Sequence, residues 1–176
     1  TLRLFPMDFE EFLMAMGEEQ LLKLMHSHDY ELMNAFHEKL KDLLRQYYYV
    51  GGMPEVVKAF AENKLLNQVR SLQNEILSNY ASDFSKHAPS QEVPRIDMVW
   101  QSILGQLSKE NKKFVYGVLK KGGRAKEFEL AIQWLVDAGL VYKITKVSKP
   151  ELPLKFYEDL SAFKLYLCDC GLMGAM

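Results

Sequence analysis

Apolar residues recur every three or four positions along most of the chain, and this spacing restricts the fold more than any other feature. The face of the first such segment is formed by Phe9, Phe12, Leu13 and Met16. Gly17 can end that helix in a left-handed conformation. Pro54 suits the first position of a further helix, with Glu55 near its positive end. The first 85 residues or so are therefore predicted to form a bundle of helices.

Two longer helices are predicted within this bundle. From Asp29, a residue suited to cap a helix, the apolar spacing predicts one long helix that runs into the sequence YYYVGG. Its inward positions are Leu32, Phe36, Leu40, Leu43, Leu44 and Tyr47. A further helix is predicted between Leu65 and Phe84. At 48% hydrophobic residues the chain can bury a sizeable core or two small ones.

The sequence KHAPSQEVPR, residues 86–95, holds two prolines and no apolar spacing, which favours a domain boundary there. Charge also changes across it. Residues 1–94 carry nine Lys and Arg against fourteen Asp and Glu, a net of −5, whereas residues 95–176 carry thirteen against nine, a net of +4. An acidic domain and a basic domain are therefore predicted, joined by a linker at 86–94.

The second half changes from helices to strands. Helices are predicted at about residues 95–107, 111–120 and 124–138, followed by the strand-like runs LVYKITKV and AFKLYLCD. Three helices and a β-ribbon, in this order, are typical of a winged helix, whose third helix can enter a groove of DNA. The fold class predicted for the whole chain is mainly α, a helical bundle followed by a winged helix.

The sequence offers little for catalysis or metal binding. It lacks the phosphate-loop pattern G-x-x-x-x-G-K-[ST] and the pattern G-x-G-x-x-G. His26 and His28 would point apart on a helix, and His37 lacks the second histidine of a zinc-protease helix. Cys168 and Cys170 lie in an apolar, strand-like segment and are predicted to be reduced packing residues. No catalytic residue and no metal site are predicted.

Basic residues cluster around the predicted second helix and the turn that follows it. They are Lys109, Lys112, Lys113, Lys120, Lys121, Arg124 and Lys126, against the single acid Glu110. Such a cluster can serve several DNA phosphates. The predicted third helix carries Glu127, Glu129 and Asp137, which would repel a phosphate backbone. The residues leave open a DNA-binding module that uses Lys112, Lys113, Lys120, Lys121, Arg124 and Lys126, and also a protein-interaction scaffold or dimer.

The sequence YVGGMPE, residues 49–55, permits two interpretations. In the first it is an ordinary connection, in which Gly51 or Gly52 ends one helix and Pro54 starts the next. In the second, the glycine pair and the rigid proline allow the backbone to approach a nucleotide that a neighbouring domain holds. The local residues favour the first interpretation.

Five segments in fixed order bear on this choice. They are LRLFPMDFEEFL, YYVGGMPEVV, ILSNYASDFSKH, KFVYGVLKKGGRAKEFELAIQWLVDAGLV and PLKFYEDLSAFKLYLCDCGLM. Together they span nearly the whole chain and resemble a large prokaryotic group of predicted P-loop ATPases. Those proteins are AAA+-like, related to the STAND-type archaeal ATPases, and carry an uncharacterised C-terminal domain behind the ATPase core.

The resemblance implies a domain plan. Residues 1–5 would be the end of the last strand of the ATPase core, 6–85 the helical lid, 86–94 a linker, 95–167 the winged helix, and 168–176 the start of a nuclease-like C-terminal domain. It also implies that Gly51, Gly52, Met53 and Pro54 lie beside the nucleotide. The phosphate loop, the Mg²⁺-binding acids and the nuclease carboxylates would all lie outside this chain.

The function predicted from this plan is that of a non-catalytic lid and winged-helix fragment that couples nucleotide state to an attached domain. ATP is the cofactor implied for the full-length parent, and no cofactor is expected on this fragment alone. The partners implied are the ATPase core and the C-terminal domain of the same chain, with DNA as the alternative partner. No signal peptide or membrane span is evident, which favours a cytoplasmic protein without a membrane partner.

Overall fold

A computed structural model describes residues 4–109 and 113–176 of the chain. Over these residues the fold is mainly helical, with a small two-stranded antiparallel sheet. The chain divides into two compact units, the first formed by Thr1–Ser78 with Asp169–Met176 and the second by Asn79–Cys168. In sequence, therefore, the second unit is inserted between two parts of the first.

The elements follow one another in the order α1 (Phe9–Ala15), α2 (Glu19–Ser27), α3 (Tyr30–Ala35), α4 (His37–Val50), α5 (Pro54–Asn63), α6 (Leu66–His87), α7 (Val93–Leu107), α8 (Ala125–Asp137), β1 (Val141–Val147), β2 (Glu158–Leu167) and α9 (Cys170–Ala175). Two 3₁₀ turns, Tyr116–Val118 and Leu154–Tyr157, precede α8 and β2. None of the helices in the described ranges combines the length and apolar character needed to cross a bilayer.

Several helix ends in the first unit are as predicted from the sequence. Gly17 follows α1 with a φ of +76°, and at the other end of that helix the structure adds a reciprocal capping box of Asp8 and Glu11, which was not predicted from the sequence. Asp29 caps α3 by accepting a hydrogen bond from the Leu32 N–H at 3.0 Å. Pro54 occupies the first turn of α5.

The prediction of one long helix after Asp29 is wrong, because the helix is interrupted at Phe36, between α3 and α4. Phe36 has φ −101° and ψ 9°, and its N–H bonds back to Met33 O at 3.1 Å in a tight turn that ends α3. Leu32 and Phe36 were predicted to face inward, but they are 48% and 41% exposed. In α4 the predicted position Leu43 is buried.

The core of the first unit lies where α1, α4, α5 and the start of α6 meet. Its main cluster of buried residues is Phe12, Val50, Val56, Val57, Phe60 and Val69. A second cluster of Leu13, Leu21 and Leu43 joins α1, α2 and α4. This core holds the connection between α4 and α5 in place.

The second unit combines α7, α8 and the antiparallel ribbon of β1 and β2. The ribbon pairs in register from Val141↔Leu167 to Thr145↔Phe163, after which a bulge shifts Lys146 opposite Asp159. Val141 on β1 and Phe163, Leu165 and Leu167 on β2 are buried, whereas Tyr142 and Ile144 are exposed. The buried side chains of this unit include Ile96, Val99, Trp100, Ile103, Phe128, Ile132 and Leu135.

The helix predicted at 111–120 is not found over the described part of that range. Residues 111 and 112 lie outside the described residues, and between 113 and 120 only the 3₁₀ turn Tyr116–Val118 is helical. Before that turn, the Phe114 N–H donates to Phe163 O at 2.6 Å. An extended backbone that bonds to β2 at Phe114 cannot also take part in a helix.

The predicted domain limits differ from the division into units. Helix covers both ends of the predicted linker 86–94, because α6 extends to His87 and α7 begins at Val93, with Pro94 in its first turn. The units divide at 78/79 and 168/169. Of the predicted core strand 1–5, residues 1–3 lie outside the described residues, and Leu4 and Phe5 are exposed and not in a strand. Cys170, predicted in a strand-like segment, begins α9.

Candidate functional site at the Gly51–Pro54 turn

The turn between α4 and α5 depends on a glycine at its first position. Gly51 has φ +77° and ψ −168°, a region that is essentially restricted to glycine. Its N–H donates to Tyr47 O at 2.7 Å and so closes the end of α4. Gly51 and Gly52 are both buried. The turn therefore begins inside the unit and not on its surface.

A single buried carboxylate joins this turn to α9. Asp169 is 4% exposed, and its Oδ2 accepts a hydrogen bond from the Gly52 N–H at 2.6 Å. Its Oδ1 accepts from the Leu172 N–H at 2.8 Å and so caps α9. An added Cβ on Gly51 would lie 2.3 Å from that Oδ1. Asp169 thus binds the turn and fills the space beside it.

The segment before α1 closes the turn from another side. The Met7 N–H donates to Gly52 O at 2.7 Å, and the Tyr47 hydroxyl donates to Met7 O at 2.9 Å. A Cβ on Gly52 would lie 1.9 Å from Met7 O, so that no side chain fits at this position without a backbone shift. Both the amide and the carbonyl of Gly52 are therefore used within the unit.

The last carbonyls of α4 find their partners on α6 and α9. Gln73, which is 0% exposed, donates from Nε2 to Tyr49 O at 2.8 Å and to Val50 O at 2.9 Å. A Cβ on Gly171 would lie 2.4 Å from Val50 O, so glycine lets the start of α9 approach the end of α4. We call Gly51, Gly52, Gln73, Asp169 and Gly171 the turn interlock.

Two titratable groups beside the turn interlock remain protonated over a wide pH range. Burial, and then the nearby Cys170 and Asp169, raise the pKa of Tyr47 to about 12. Burial, and then Asp169, raise the pKa of the Cys170 thiol to about 11. At neutral pH the thiol is therefore neutral, and its Sγ lies 3.7 Å from Tyr47 O as a weak donor.

Of the four residues predicted beside a nucleotide, two are inside the unit and one faces outward. Gly51 and Gly52 are buried, Met53 is half-buried and Pro54 is exposed. Glu55, also exposed, follows in the first turn of α5, whose N-terminus has no side-chain cap. Sequence reasoning missed Asp169, since it lies 117 residues from Gly52 and no local pattern relates the two.

The basic residues predicted to contact DNA are exposed wherever the structure describes them. Exposed members are Lys113, Lys120, Lys121, Arg124 and Lys126, while Lys112 lies outside the described residues. Lys120 Nζ lies 3.6 Å from Glu127 Oε2. Arg124 and Lys126 line an open cleft with Arg95, a cation that the sequence prediction did not include.

His26 and His28 of the first unit do not belong to the turn interlock. His26 Nε2 lies 3.0 Å from Glu10 Oε1, and His28 ends α2 with a left-handed φ of +55°. No disulfide joins Cys168 and Cys170, and both are half-buried. Over the described ranges, no group of three or more His, Cys, Asp or Glu is placed to hold a metal ion.

Comparison with known proteins identifies a family. Residues 41–176 match the family model described as a domain of unknown function, DUF8612. The chain belongs to this family. Searches of curated proteins and of solved structures give no match. All five residues of the turn interlock lie within the DUF8612 match, whereas Met7 lies before it.

Proposed function

We propose that the chain is the helical lid and winged-helix part of a P-loop ATPase, without catalytic residues of its own. The observation that carries this proposal is the form of the turn. Its glycines are fixed by Asp169 and Met7, while Pro54 and Glu55, at the start of α5, are exposed and this helix start has no side-chain cap. Pro54 has no N–H, and the Val57 N–H donates to Met53 O at 2.9 Å, so the amides without a side-chain cap at this helix start are those of Glu55 and Val56. N–H groups at a helix start favour an anion such as a phosphate.

The order of elements in the second unit supports the winged-helix part of the proposal. The ribbon is preceded by α7, the turn at 116–118 and α8. The Phe114 N–H donates a hydrogen bond to Phe163 O on β2. A short extended segment beside the ribbon suits a winged helix. The five ordered sequence segments support the link to an ATPase.

The mechanism proposed is a rigid-body change. Nucleotide held by the ATPase core would contact the turn at Met53 and Pro54, and the fixed glycines would transmit this contact to the whole lid. ATP is the cofactor of the longer protein in this proposal, and the attached domain is the element that moves.

The test uses the longer protein that contains this chain. Pro54→Ala is expected to weaken ATP binding and to slow ATP hydrolysis several-fold, because proline fixes the first turn of α5. Pro94→Ala is the matched control, since Pro94 occupies the first turn of α7 in the other unit. Wild-type ATP affinity and hydrolysis in Pro54→Ala would show that the turn does not contact nucleotide.

A second function, DNA binding, is favoured by the exposure of the basic cluster and opposed by Glu129 and Asp137 on α8, which are also exposed. The double variant Lys120→Gln and Lys121→Gln is expected to weaken duplex binding and to reduce its salt dependence by roughly two phosphate contacts. Replacing Lys23 and Lys58, exposed lysines of the first unit, is the control. An absence of duplex binding by the wild-type chain at low salt would exclude this function.

A further inference from the structure

We infer that Asp169 transmits the position of the Gly51–Pro54 turn to the second unit. This inference rests on the proposed function, because it names the residue through which the turn would act on the attached unit. The sequence suggests a different route, the linker at 86–94.

The first step is the bond between the turn and Asp169. The Gly52 N–H and Asp169 Oδ2 are 2.6 Å apart in a site where Asp169 is 4% exposed. A buried donor that loses its acceptor is costly, because water does not replace it. The turn and Asp169 therefore shift together or lose this hydrogen bond.

The second step is that Asp169 is held from several directions and cannot swing alone. Its Oδ1 caps α9 through the Leu172 N–H. Gly171 brings the start of α9 against Val50 O, and Gln73 holds the same carbonyl from α6. Since these contacts fix α9 on α4, a displacement of the turn is passed to the backbone at Asp169.

The third step is covalent. Asp169 is bonded to Cys168, the last residue of the second unit, and Cys168 directly follows β2. The Cys168 N–H donates to Leu140 O at 3.0 Å, next to the start of β1. One peptide bond thus links Asp169, which accepts from the Gly52 amide, to Cys168, which follows the last residue of β2. The route through 86–94 instead passes along the whole of α5 and α6.

The test measures amide hydrogen exchange in the chain without nucleotide. Asp169→Ser keeps an oxygen that can cap α9 but removes the oxygen that binds Gly52. Exchange is expected to become roughly tenfold faster at the Gly52 amide and also faster at the Cys168 amide. Asp29→Ser is the matched control, because Asp29 caps α3 in the same manner and has no bond to the turn. It is expected to leave both amides unchanged.

A further control separates transmission from general destabilisation. Val57→Ala removes a buried side chain of the first unit that is 1% exposed, without altering the turn interlock. It is expected to speed exchange within the first unit and not at Cys168. If Val57→Ala accelerates Cys168 as much as Asp169→Ser does, or if Asp169→Ser leaves Cys168 unchanged, the inference is wrong.

Asp169→Asn provides a second variant should Asp169→Ser fail to fold, because it keeps the shape of the side chain and replaces one acceptor oxygen. The same two amides are measured, with the same expected and contradicting results. Since no nucleotide enters this experiment, a negative result leaves the ATP-binding proposal standing. A negative result with Pro54→Ala likewise leaves the role of Asp169 standing.

Discussion

At the scale of single residues, three glycines make the turn interlock possible. A Cβ on Gly51, Gly52 or Gly171 would come within 2.4 Å of an oxygen, closer than real Cβ atoms approach other heavy atoms. The groups in the way belong to Asp169 and to backbone that is itself buried or hydrogen-bonded. These three positions therefore require glycine for space, and Gly51 requires it for its backbone angles as well.

Gly51→Ala is expected to destabilise the chain far more than Gly17→Ala. Both glycines have a positive φ, +77° and +76°, so both variants carry backbone strain, and the strain is greater at Gly51 because its ψ of −168° lies in a region essentially restricted to glycine. Only Gly51 is crowded, because nothing lies within 4 Å of a Cβ on Gly17. We expect Gly51→Ala to cost at least about 2 kcal/mol more in the free energy of unfolding, measured by urea denaturation. Equal losses would show that the contact with Asp169 relaxes without cost.

Cys170 is expected to make the stability of the chain depend on alkaline pH. Burial raises the pKa of its thiol in the folded chain to about 11, from an ordinary value of 9.0. The folded state therefore holds the proton more tightly, so that stability is retained below about pH 9 and decreases as the pH rises to 11. The urea concentration at the midpoint of unfolding should decrease when the pH is raised from about 8.5 to about 10.5, which covers most of this range. Cys170→Ala should reduce this fall, and an unchanged pH profile in that variant would contradict the assignment.

At the scale of elements, the end of α4 is the most completely satisfied helix terminus near the turn. Gln73 on α6 donates to two of its carbonyls, and Gly51 donates to a third, Tyr47 O. The last carbonyls of a helix lack partners within the helix, and burial without partners would be costly. α6 therefore stabilises α4 by polar contacts as well as by packing.

Gln73→Met is expected to lower the free energy of unfolding by about 1–3 kcal/mol, because the buried Val50 carbonyl and the part-buried Tyr49 carbonyl lose their donor while the side chain keeps its size. Gln133→Met on α8 is the control. Gln133 is exposed and bonds to the Asp137 carboxylate, so its replacement should change stability by less than about 0.5 kcal/mol. Thermal or urea unfolding of both variants compares the two, and equal losses would argue against a capping role for Gln73.

Local signals in the sequence were sufficient for some elements and misleading for others. Pro54 and Asp29 mark helix starts because their effects act within one helical turn. Phe36 was misplaced because its apolar spacing continues through a break that only the tight turn to Met33 reveals. Asp169 was missed for the opposite reason, since its partner Gly52 is distant in sequence and an aspartate before a short helix looks like an ordinary cap.

At the scale of the whole molecule, one unit is discontinuous in sequence and the other is continuous. The first unit needs residues from both ends of the chain, while the second is continuous from Asn79 to Cys168. The second unit also contains its own aromatic core, in which Phe84 lies 5.6 Å from both Trp100 and Trp134, measured between ring centroids. A continuous segment with its own core can fold alone.

We expect a fragment of residues 79–168 to unfold cooperatively, with a near-ultraviolet signal from its two tryptophans. A fragment of residues 1–78 lacks Asp169 and α9, so it should be far less stable. Joining residues 169–176 to residue 78 through a glycine-serine linker should restore stability to that fragment. Circular dichroism during heating tests all three fragments. A stable 1–78 fragment would show that the turn interlock is dispensable for the fold.

The discontinuity of the first unit also has a consequence for synthesis on the ribosome. Residues 1–78 emerge first, but the carboxylate that binds Gly52 is translated only after the 90 residues of the second unit. At roughly 5–20 residues per second, this delay is about 5–18 s. During that interval the Gly52 amide lacks its final acceptor, and the later-born unit is able to fold before the earlier one is complete. During synthesis, the second unit can therefore complete its fold before the first unit does.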